Sequence, residues 1–275
     1  MKNKNHLLHL DQISYSYDDS DFQLKDISLT IQRGEKIAVL GSNGAGKSTF
    51  FLVCNGVLHP NSGNLFFKND IIDYKSKKSL FRLRQAVGIV FQDPNQQIIG
   101  STVEQEVSFG PVNLKLPRDE IENRVSGAIK AMNLTQYREK PPHYLSGGEK
   151  KRVTIADILA MESEIILFDE PTASLDPQGI SNLEEVLYSL TAQEKAIMIS
   201  THDIDFAWRW ADRVLLMCGG SLEADLTPLE LFSREDLLRK AGLRRPYLYD
   251  ASLYLHKTGA WAGDRWAKTP ADLAD

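Results

Sequence analysis

The sequence predicts an α/β fold: a strand–loop–helix core, an antiparallel β-subdomain ahead of it and a helical subdomain inserted within it. Three observations carry that expectation. The stretch Gly41-Ser42-Asn43-Gly44-Ala45-Gly46-Lys47-Ser48-Thr49 has the spacing Gly, four residues, Gly-Lys-Ser/Thr, and it stands between the apolar run Ile37–Leu40 and the helix-like start Thr49–Val53. Short apolar runs of strand length recur before and after it. Between about Asp93 and Asp157 those runs disappear and helical periodicity takes over.

Each element follows in order. Ile13-Ser14-Tyr15-Ser16-Tyr17 alternates as a half-buried strand, Asp18-Asp19-Ser20-Asp21 breaks it, and Leu24 to Ile31 alternates again, so the chain opens antiparallel. Arg33-Gly34-Glu35 turns into the Ile37–Leu40 strand. After the Gly-rich loop, His59 to Gly63 is a turn cluster, Asn64 to Lys68 a strand, Ser76 to Gln85 a basic helix, and Val87 to Phe91 a buried strand ending at Gln92. In the insertion, Thr102 to Phe109 and Arg118 to Met132 read as helices. Ile121, Val125, Ala128, Ile129 and Met132 share one face of the second, a stripe read as core packing. Ile165 to Phe168 returns to a buried strand ending in Asp169-Glu170. Gly179 to Leu190 is a helix, and Ala196 to Ser200 is a strand delivering Thr201-His202-Asp203. Val214 to Cys218 reads as the final strand, and Thr227 to Leu243 as two short helices. Beyond Pro246 no periodicity is visible, and Trp261 and Trp266 sit in a tail read as loosely ordered or docked on a partner.

Length and composition bound the class. A chain of 275 residues, 42% hydrophobic and 25% charged, is ordinary for a globular protein of one large or two modest domains. No apolar run approaches the ~20 residues that span a bilayer, and Met1 to His6 is too polar to begin a secretory signal. The expectation is a cytoplasmic chain whose membrane role comes through a partner. A net charge of −5 argues against bulk nucleic-acid binding. Cys54 and Cys218 lack metal-ligand spacing and read as reduced, buried small hydrophobes.

The chemistry begins at the Gly-rich loop. Glycines let successive backbone N–H groups turn toward one anion, and the following helix N-terminus adds partial positive charge. Lys47 can bridge outer phosphates, and the Ser48 hydroxyl can ligate Mg²⁺. A second stretch, Leu145-Ser146-Gly147-Gly148-Glu149, opens a helix running to Met161. It makes another anion-binding helix end, or simply a helix start capped by Ser146. If both ends serve one nucleotide, the simpler arrangement is head-to-tail dimerisation, with ATP held between the Gly41–Thr49 loop of one chain and Ser146-Gly147-Gly148 of the other.

These stretches together resemble the ATP-binding subunit of an ABC transporter, over about Leu8 to Leu243. The resemblance implies a P-loop NTPase (RecA-like) core with the N-terminal antiparallel β-subdomain and an inserted ABC helical subdomain at about 93–157. The cassette is 1–243, and 244–275 is left as a C-terminal tail without a role. Gly41 to Thr49 match the Walker A loop, Gln92 the Q-loop, Leu145 to Glu149 the signature, Ile166 to Glu170 Walker B, Ser174-Leu175-Asp176 the D-loop and His202 the switch histidine. Tyr17 matches the aromatic that stacks on adenine, with Tyr15 as the other candidate. Lys150 departs from the pattern, where many members carry Gln. The implied ATP-binding set is Tyr17, Gly41, Ser42, Asn43, Gly44, Ala45, Gly46, Lys47, Ser48, Thr49, Gln92, Ser146, Gly147 and Gly148. Ser48, Gln92 and Asp169 are implied for Mg²⁺. Glu170 is implied as the residue that polarises the attacking water, and His202 as the γ-phosphate contact, both catalytic.

Phe91 to Ile99, Phe109 to Leu114, and Ala241-Gly242-Leu243 followed by Pro246 resemble one branch, the CbiO/EcfA-like ATPases of energy-coupling-factor importers. That narrower resemblance implies a homodimer or a pair of related ATPases on the cytoplasmic face of the cell membrane. It implies a transmembrane coupling subunit received by a groove lined from Gln92 to Asn113, a separate substrate-capturing membrane subunit, and no nucleic-acid partner. Cobalt is the leading cargo, with nickel or a vitamin open. Ile98 and Ile99 read equally as groove or as subdomain core. Two other classes compete: a soluble ABC ATPase acting on nucleic acid or ribosomes, usually with two cassettes or a long coiled-coil insertion, and a monomeric P-loop kinase, in which the signature would have no task.

Overall fold

Side-chain alternation along the central strands divides the molecule into layers. The computed structural model describes residues 6–17, 23–173, 175–261 and 264–274. Six strands form the main sheet in the order β10-β9-β3-β8-β7-β6: β3 (Lys36–Leu40), β6 (Val87–Val90), β7 (Ile165–Asp169), β8 (Ala196–Ser200), β9 (Arg213–Cys218) and β10 (Ser221–Leu226). All pair in parallel except β10, which returns antiparallel on β9. Ala38, Leu40, Ile166, Phe168, Ile197, Ile199, Val214 and Leu216 point to one core. Their neighbours Ile37, Val39, Ile165, Leu167, Ala196, Met198, Leu215 and Met217 point to the other. Both faces are covered, so these strands are apolar throughout rather than alternating in polarity.

The second core lies under the antiparallel sheet β2-β1-β4-β5, made of β1 (His6–Ser16), β2 (Gln23–Gln32), β4 (Ser62–Phe67) and β5 (Asp70–Ile71), together with α1 (Lys47–Cys54) and α2 (Lys77–Ala86). The polar turn expected at Asp18 to Asp21 lies outside the described residues. The first core is covered by the insertion helices α3 (Val103–Asn113), α4 (Arg118–Ala131) and α5 (Gly147–Met161). Beside them lie α6 (Pro177–Ala192), α7 (Ile204–Trp210), α8 (Pro228–Ser233), α9 (Glu235–Ala241) and α10 (Tyr247–Lys257). Between β6 and β7 the described residues contain no strand, as the sequence predicts. Of the predicted stripe on α4, Val125, Ala128, Ile129 and Met132 are buried and Ile121 packs against them.

Three expectations are corrected. Val214–Cys218 is not the last strand: β10 follows across the Gly219-Gly220 turn, and its mixed sequence Ser-Leu-Glu-Ala-Asp-Leu suits an edge strand facing solvent on one side. Residues beyond Pro246 are not featureless. Pro246 sits at the N-cap of α10, and Tyr249 and Trp266 stack at 4.9 Å against the cassette. Cys218 is half-buried rather than buried, because it lies at the β9 end beside the turn; Cys54 is fully buried, and both thiols are free.

The insertion carries a titration that can be measured. Asp157 on α5 accepts a hydrogen bond from Gln97 Nε2 at 3.1 Å. Burial nonetheless pushes its carboxyl from the usual 3.8 to about 7, with the nearby Glu106 adding to the rise. A raised folded-state pKa means that the native chain holds the proton through the window from 3.8 to about 7, where the unfolded chain has released it. Stability from this group is therefore present below the window and lost as pH rises through it. Asp157→Asn keeps an acceptor for Gln97 without the titration. It is expected to gain stability over the parent between pH 5 and pH 8, by about 1–3 kcal/mol in denaturant melts. An equal difference at both pH values would contradict this.

Candidate nucleotide-binding site

Parallel pairing sets the site. Strands β3, β8 and β7 are neighbours running the same way, so their C-terminal ends open at one edge of the sheet. From these ends emerge Gly41, Thr201-His202 and Asp169-Glu170. Asp169, Glu170 and His202 line one cleft of about 930 Å³ with the whole Gly41–Thr49 loop, Gln92, Asp203, Ile204 and Ala241 to Arg244.

The loop has the backbone that its glycines allow. Gly46, at the N-cap of α1, takes a left-handed φ of 100°, which a side chain would oppose. At Gly41 a Cβ would meet Met217 O at 2.3 Å, so β9 can approach the loop only because no side chain intervenes. Lys47 is buried, and its Nζ donates to Gly41 O at 2.8 Å and Ser42 O at 3.2 Å. Ser42, Asn43, Gly44 and Ser48 are exposed to the cleft, while Ala45 and Thr49 are buried beneath it.

Opposite the loop, Ser200 Oγ donates to Asp169 Oδ1. The Glu170 N–H donates to Ser200 O at 3.1 Å and contacts Ser200 Oγ at 3.2 Å. Glu170 itself sits in the left-handed region at φ 46°, an uncommon conformation for a residue with a Cβ and one that clusters at functional sites. Glu170 is 6% exposed, and its carboxyl is held above the ordinary glutamate range by burial, against the opposing pull of His202 and Lys47. Glu170 Oε2 lies 2.9 Å from His202 Nδ1, within ion-pair distance. A buried carboxylate that lines the same cleft as a phosphate-type loop fits a water or cation-bound ligand there. The imidazole of His202 is exposed, with 74% of its side chain open to solvent.

Gln92 is exposed at the cleft, and its carbonyl accepts from the buried Lys151 Nζ at 3.0 Å. Tyr17 does not line the cleft itself; its hydroxyl meets Thr49 Oγ1 at 3.1 Å, and Tyr15 stands edge-on to its ring at 5.0 Å. Ser146, Gly147 and Gly148 are not among the residues lining the cleft. Ser146 caps α5 through a reciprocal capping box with Glu149, accepting from the Glu149 N–H while the Glu149 carboxylate takes the Ser146 N–H at 2.7 Å. The Gly147 and Gly148 N–H groups, in the first turn, have no acceptor within the helix. Of the expected D-loop, Ser174 lies outside the described residues; Asp176 caps α6 by accepting from the Gly179 N–H at 2.8 Å.

Several lining or supporting residues escape the sequence reading. Ser200 and Lys151 look like ordinary polar residues in a strand and a helix, and only neighbouring strands or the loop carbonyls reveal their partners. Asp203 had a signal: it precedes an apolar run and accepts from the Phe206 N–H at 2.9 Å, capping α7, a helix absent from the sequence reading. Ala241 to Arg244 reach the cleft only through the fold.

Comparison with known proteins places this geometry in a family. The profile of the ABC transporter family matches residues 24–173. The energy-coupling factor transporter ATP-binding protein EcfA of Methanothermobacter thermautotrophicus is 44% identical over 253 residues, 92% of this chain and 81% of that protein. The EcfA2 protein of Methanospirillum hungatei is 45% identical over 97% of this chain, which spans 65% of that protein's length. Among solved structures, cbiO1 of Clostridium perfringens, part of the ABC transporter complex cbiONQ, superposes with a TM-score of 0.75 and 41% identity, covering 93% of this chain and 98% of that one. A dimeric ATP-binding cassette in a post-hydrolysis state with ADP and phosphate superposes with a TM-score of 0.73 at 28% identity, over 81% of this chain and 99% of its own.

Proposed function

The chain belongs to the ABC transporter family, among the energy-coupling-factor ATP-binding proteins, and is an ABC-type ATPase; from that premise we propose that it works as a head-to-tail dimer closing over two ATP molecules to drive import through membrane subunits. One observation carries the reading: the phosphate loop, Gln92, Asp169, Glu170 and His202 share a single cleft, while the glycine-lined start of α5 lies outside it. A second copy can supply that helix end across the cleft, with the Gly147 and Gly148 N–H groups toward the terminal phosphate.

In this reading the Gly41–Thr49 backbone and Lys47 hold the phosphates, and Tyr17 stacks on adenine. Ser48, Gln92 and Asp169 would hold Mg²⁺, which supplies charge neutralisation to the β- and γ-phosphates. Glu170 orients and polarises the attacking water, and His202 donates to the γ-phosphate. The buried Glu170 carboxyl lining the cleft beside His202 and the hydrogen bond that orients Asp169 support these assignments. Cassette 1–243 with its insertion at about 93–157 forms the motor.

No helix among the described residues is long and apolar enough to cross a membrane. The path to the membrane is proposed through the insertion, where Ile99, Phe109 and Val112 are exposed apolar residues within Gln92–Asn113 while Ile98 packs into the core. A transmembrane coupling subunit would seat there, beside a substrate-capturing subunit, placing the chain on the cytoplasmic face. Cobalt is the first cargo to test, followed by nickel and vitamins, and cargo recognition belongs to the membrane subunits.

Two measurements test the proposal. Co-expression with candidate membrane subunits should bring the chain to the membrane fraction, and Phe109→Asp should release it with ATP binding intact. Equal recovery in the soluble fraction with all partners, together with ATPase stimulation by nucleic acid, would favour the soluble class instead. Tyr17→Ala is expected to weaken ATP binding by about 1–3 kcal/mol, the scale of aromatic–base stacking, by titration calorimetry. Unchanged affinity would transfer the stacking role to Tyr15.

A further inference from the structure

The C-terminal segment, which the motor reading leaves without a task, grips the helix that follows the switch histidine. Helix α7 begins two residues after His202 and is seven residues long. On its inner side Phe206 and Trp210 are buried in the core beneath the sheet. On its outer side the C-terminal segment holds both ends. At the first turn, the Asp205 carboxylate accepts from Arg244 Nη2 at 2.5 Å and from the Tyr247 N–H at 2.7 Å. Farther along, Trp208 Nε1 donates to Ala267 O at 2.7 Å. Lys268 Nζ donates to Trp208 O at 2.7 Å and lies 3.5 Å from the centre of its indole ring. Tyr249 and Trp266 stand edge-on to the same ring at 5.4 and 6.2 Å. Trp208 is only 1% exposed, and its donor is satisfied by this segment.

His202 has little of its own to fix it. Its side chain is largely exposed, and its close polar neighbour is Glu170. Where the imidazole stands is therefore set by the backbone around Thr201 to Ile204, which is also the N-terminus of α7. The same C-terminal segment begins at the cleft, since Leu243 and Arg244 line it.

We propose that residues 244–261 and 264–274 are a positioning clamp: by holding α7 at Asp205 and Trp208 they keep His202 in register with Glu170 and the terminal phosphate. Asp205 and Trp208 are positioning residues that act through His202. The proposal rests on the reading of His202 as the γ-phosphate contact.

The test uses the 275-residue chain with ATP and Mg²⁺. Asp205→Ala removes both bonds at the first turn; Asp205→Asn keeps an acceptor for the Tyr247 N–H; Trp208→Phe keeps a ring and removes the indole donor. Because misplacement by an ångström costs on the order of 10²-fold and the clamp is loosened rather than removed, Asp205→Ala and Trp208→Phe should each lower kcat roughly tenfold. KM for ATP should stay within about twofold, since the phosphate loop is untouched. Asp205→Asn should fall between Asp205→Ala and the parent. In protein labelled at histidine Cε1, the His202 resonance, identified by its loss in His202→Ala, should shift or broaden in Asp205→Ala.

Parent-like kcat and an unmoved His202 resonance in Asp205→Ala and Trp208→Phe overturn the clamp. So does a kcat loss accompanied by failure of Asp205→Ala, combined with Glu170→Gln, to dimerise with ATP where Glu170→Gln alone does, which would make the segment an interface instead. If Trp208→Phe does not fold, the surface pair Asp205→Ala and Asp205→Asn decides alone. His202→Ala separates the two readings: full hydrolysis in that variant removes the role of His202 itself, whereas lost hydrolysis there with parent-like Asp205 and Trp208 variants removes only the clamp.

Discussion

Glu170→Gln is expected to lower steady-state ATP hydrolysis by at least about 10²-fold while ATP affinity stays near the parent's, so that nucleotide accumulates in a closed dimer. The magnitude follows from the task assigned to the carboxylate. Orienting and deprotonating a nucleophile is worth about 10²–10⁴ in rate, and hydrolysis of a phosphoanhydride offers the protein little besides orientation and charge stabilisation. The geometry makes the substitution clean. Glu170 is fixed by its backbone, through the N–H to Ser200 O at 3.1 Å, in a left-handed conformation that Gln can adopt as readily as Glu. Gln has the same shape, keeps an oxygen toward His202, and relieves the burial penalty that holds the native carboxyl above its ordinary range. A loss of activity in this variant therefore reports the missing carboxylate rather than a damaged fold. Steady-state ATPase near the parent's would refute the assignment. Size-exclusion chromatography with ATP and Mg²⁺ checks the second half: the variant should elute as a dimer, and the parent as a monomer once its nucleotide is spent.

Lys47→Ala is expected to weaken ATP binding by about 10- to 100-fold, read by titration calorimetry. Hydrogen bonds to a charged partner are worth about 1.5–3 kcal/mol each, and 1.4 kcal/mol is a factor of ten. The ammonium donates to Gly41 O and Ser42 O, the carbonyls at the start of the loop. Lys47→Ala removes the counter-charge and also the brace across the loop. Lys47→Arg separates these effects, since it restores the charge in a larger head that the buried site does not fit; it should recover only part of the affinity. Unchanged affinity in Lys47→Ala would count against the loop as the phosphate site.

The phosphate loop, the strands before and after it, the helical insertion and the order of the cleft residues were all legible in the sequence. They are encoded locally: a Gly-rich loop needs particular backbone angles, a strand covered on both faces needs an unbroken apolar run, and a carboxylate pair at a strand end needs no partner to be recognised. Elements whose stabilisation comes from elsewhere were not legible. Strand β10 has no apolar run because one of its sides meets solvent, and it pairs only because β9 turns back at Gly219-Gly220. Helix α10 reads as polar tail because its buried residues, Tyr249 and Ser252, answer to Trp208, Trp266 and Ala267 rather than to a helical stripe.

By itself the sequence determined the family, the fold class and the order of the motifs whose residues line the cleft, because each rests on backbone demands or chemistry carried within a few consecutive positions. Only the tertiary structure decided that Glu170 stands buried beside His202, that Lys151 holds the loop carbonyls at Phe91 and Gln92, and that the C-terminal segment braces the helix beside His202. Those outcomes depend on contacts between residues far apart in the chain, where burial removes competing water and leaves each polar group only the partner that the fold supplies.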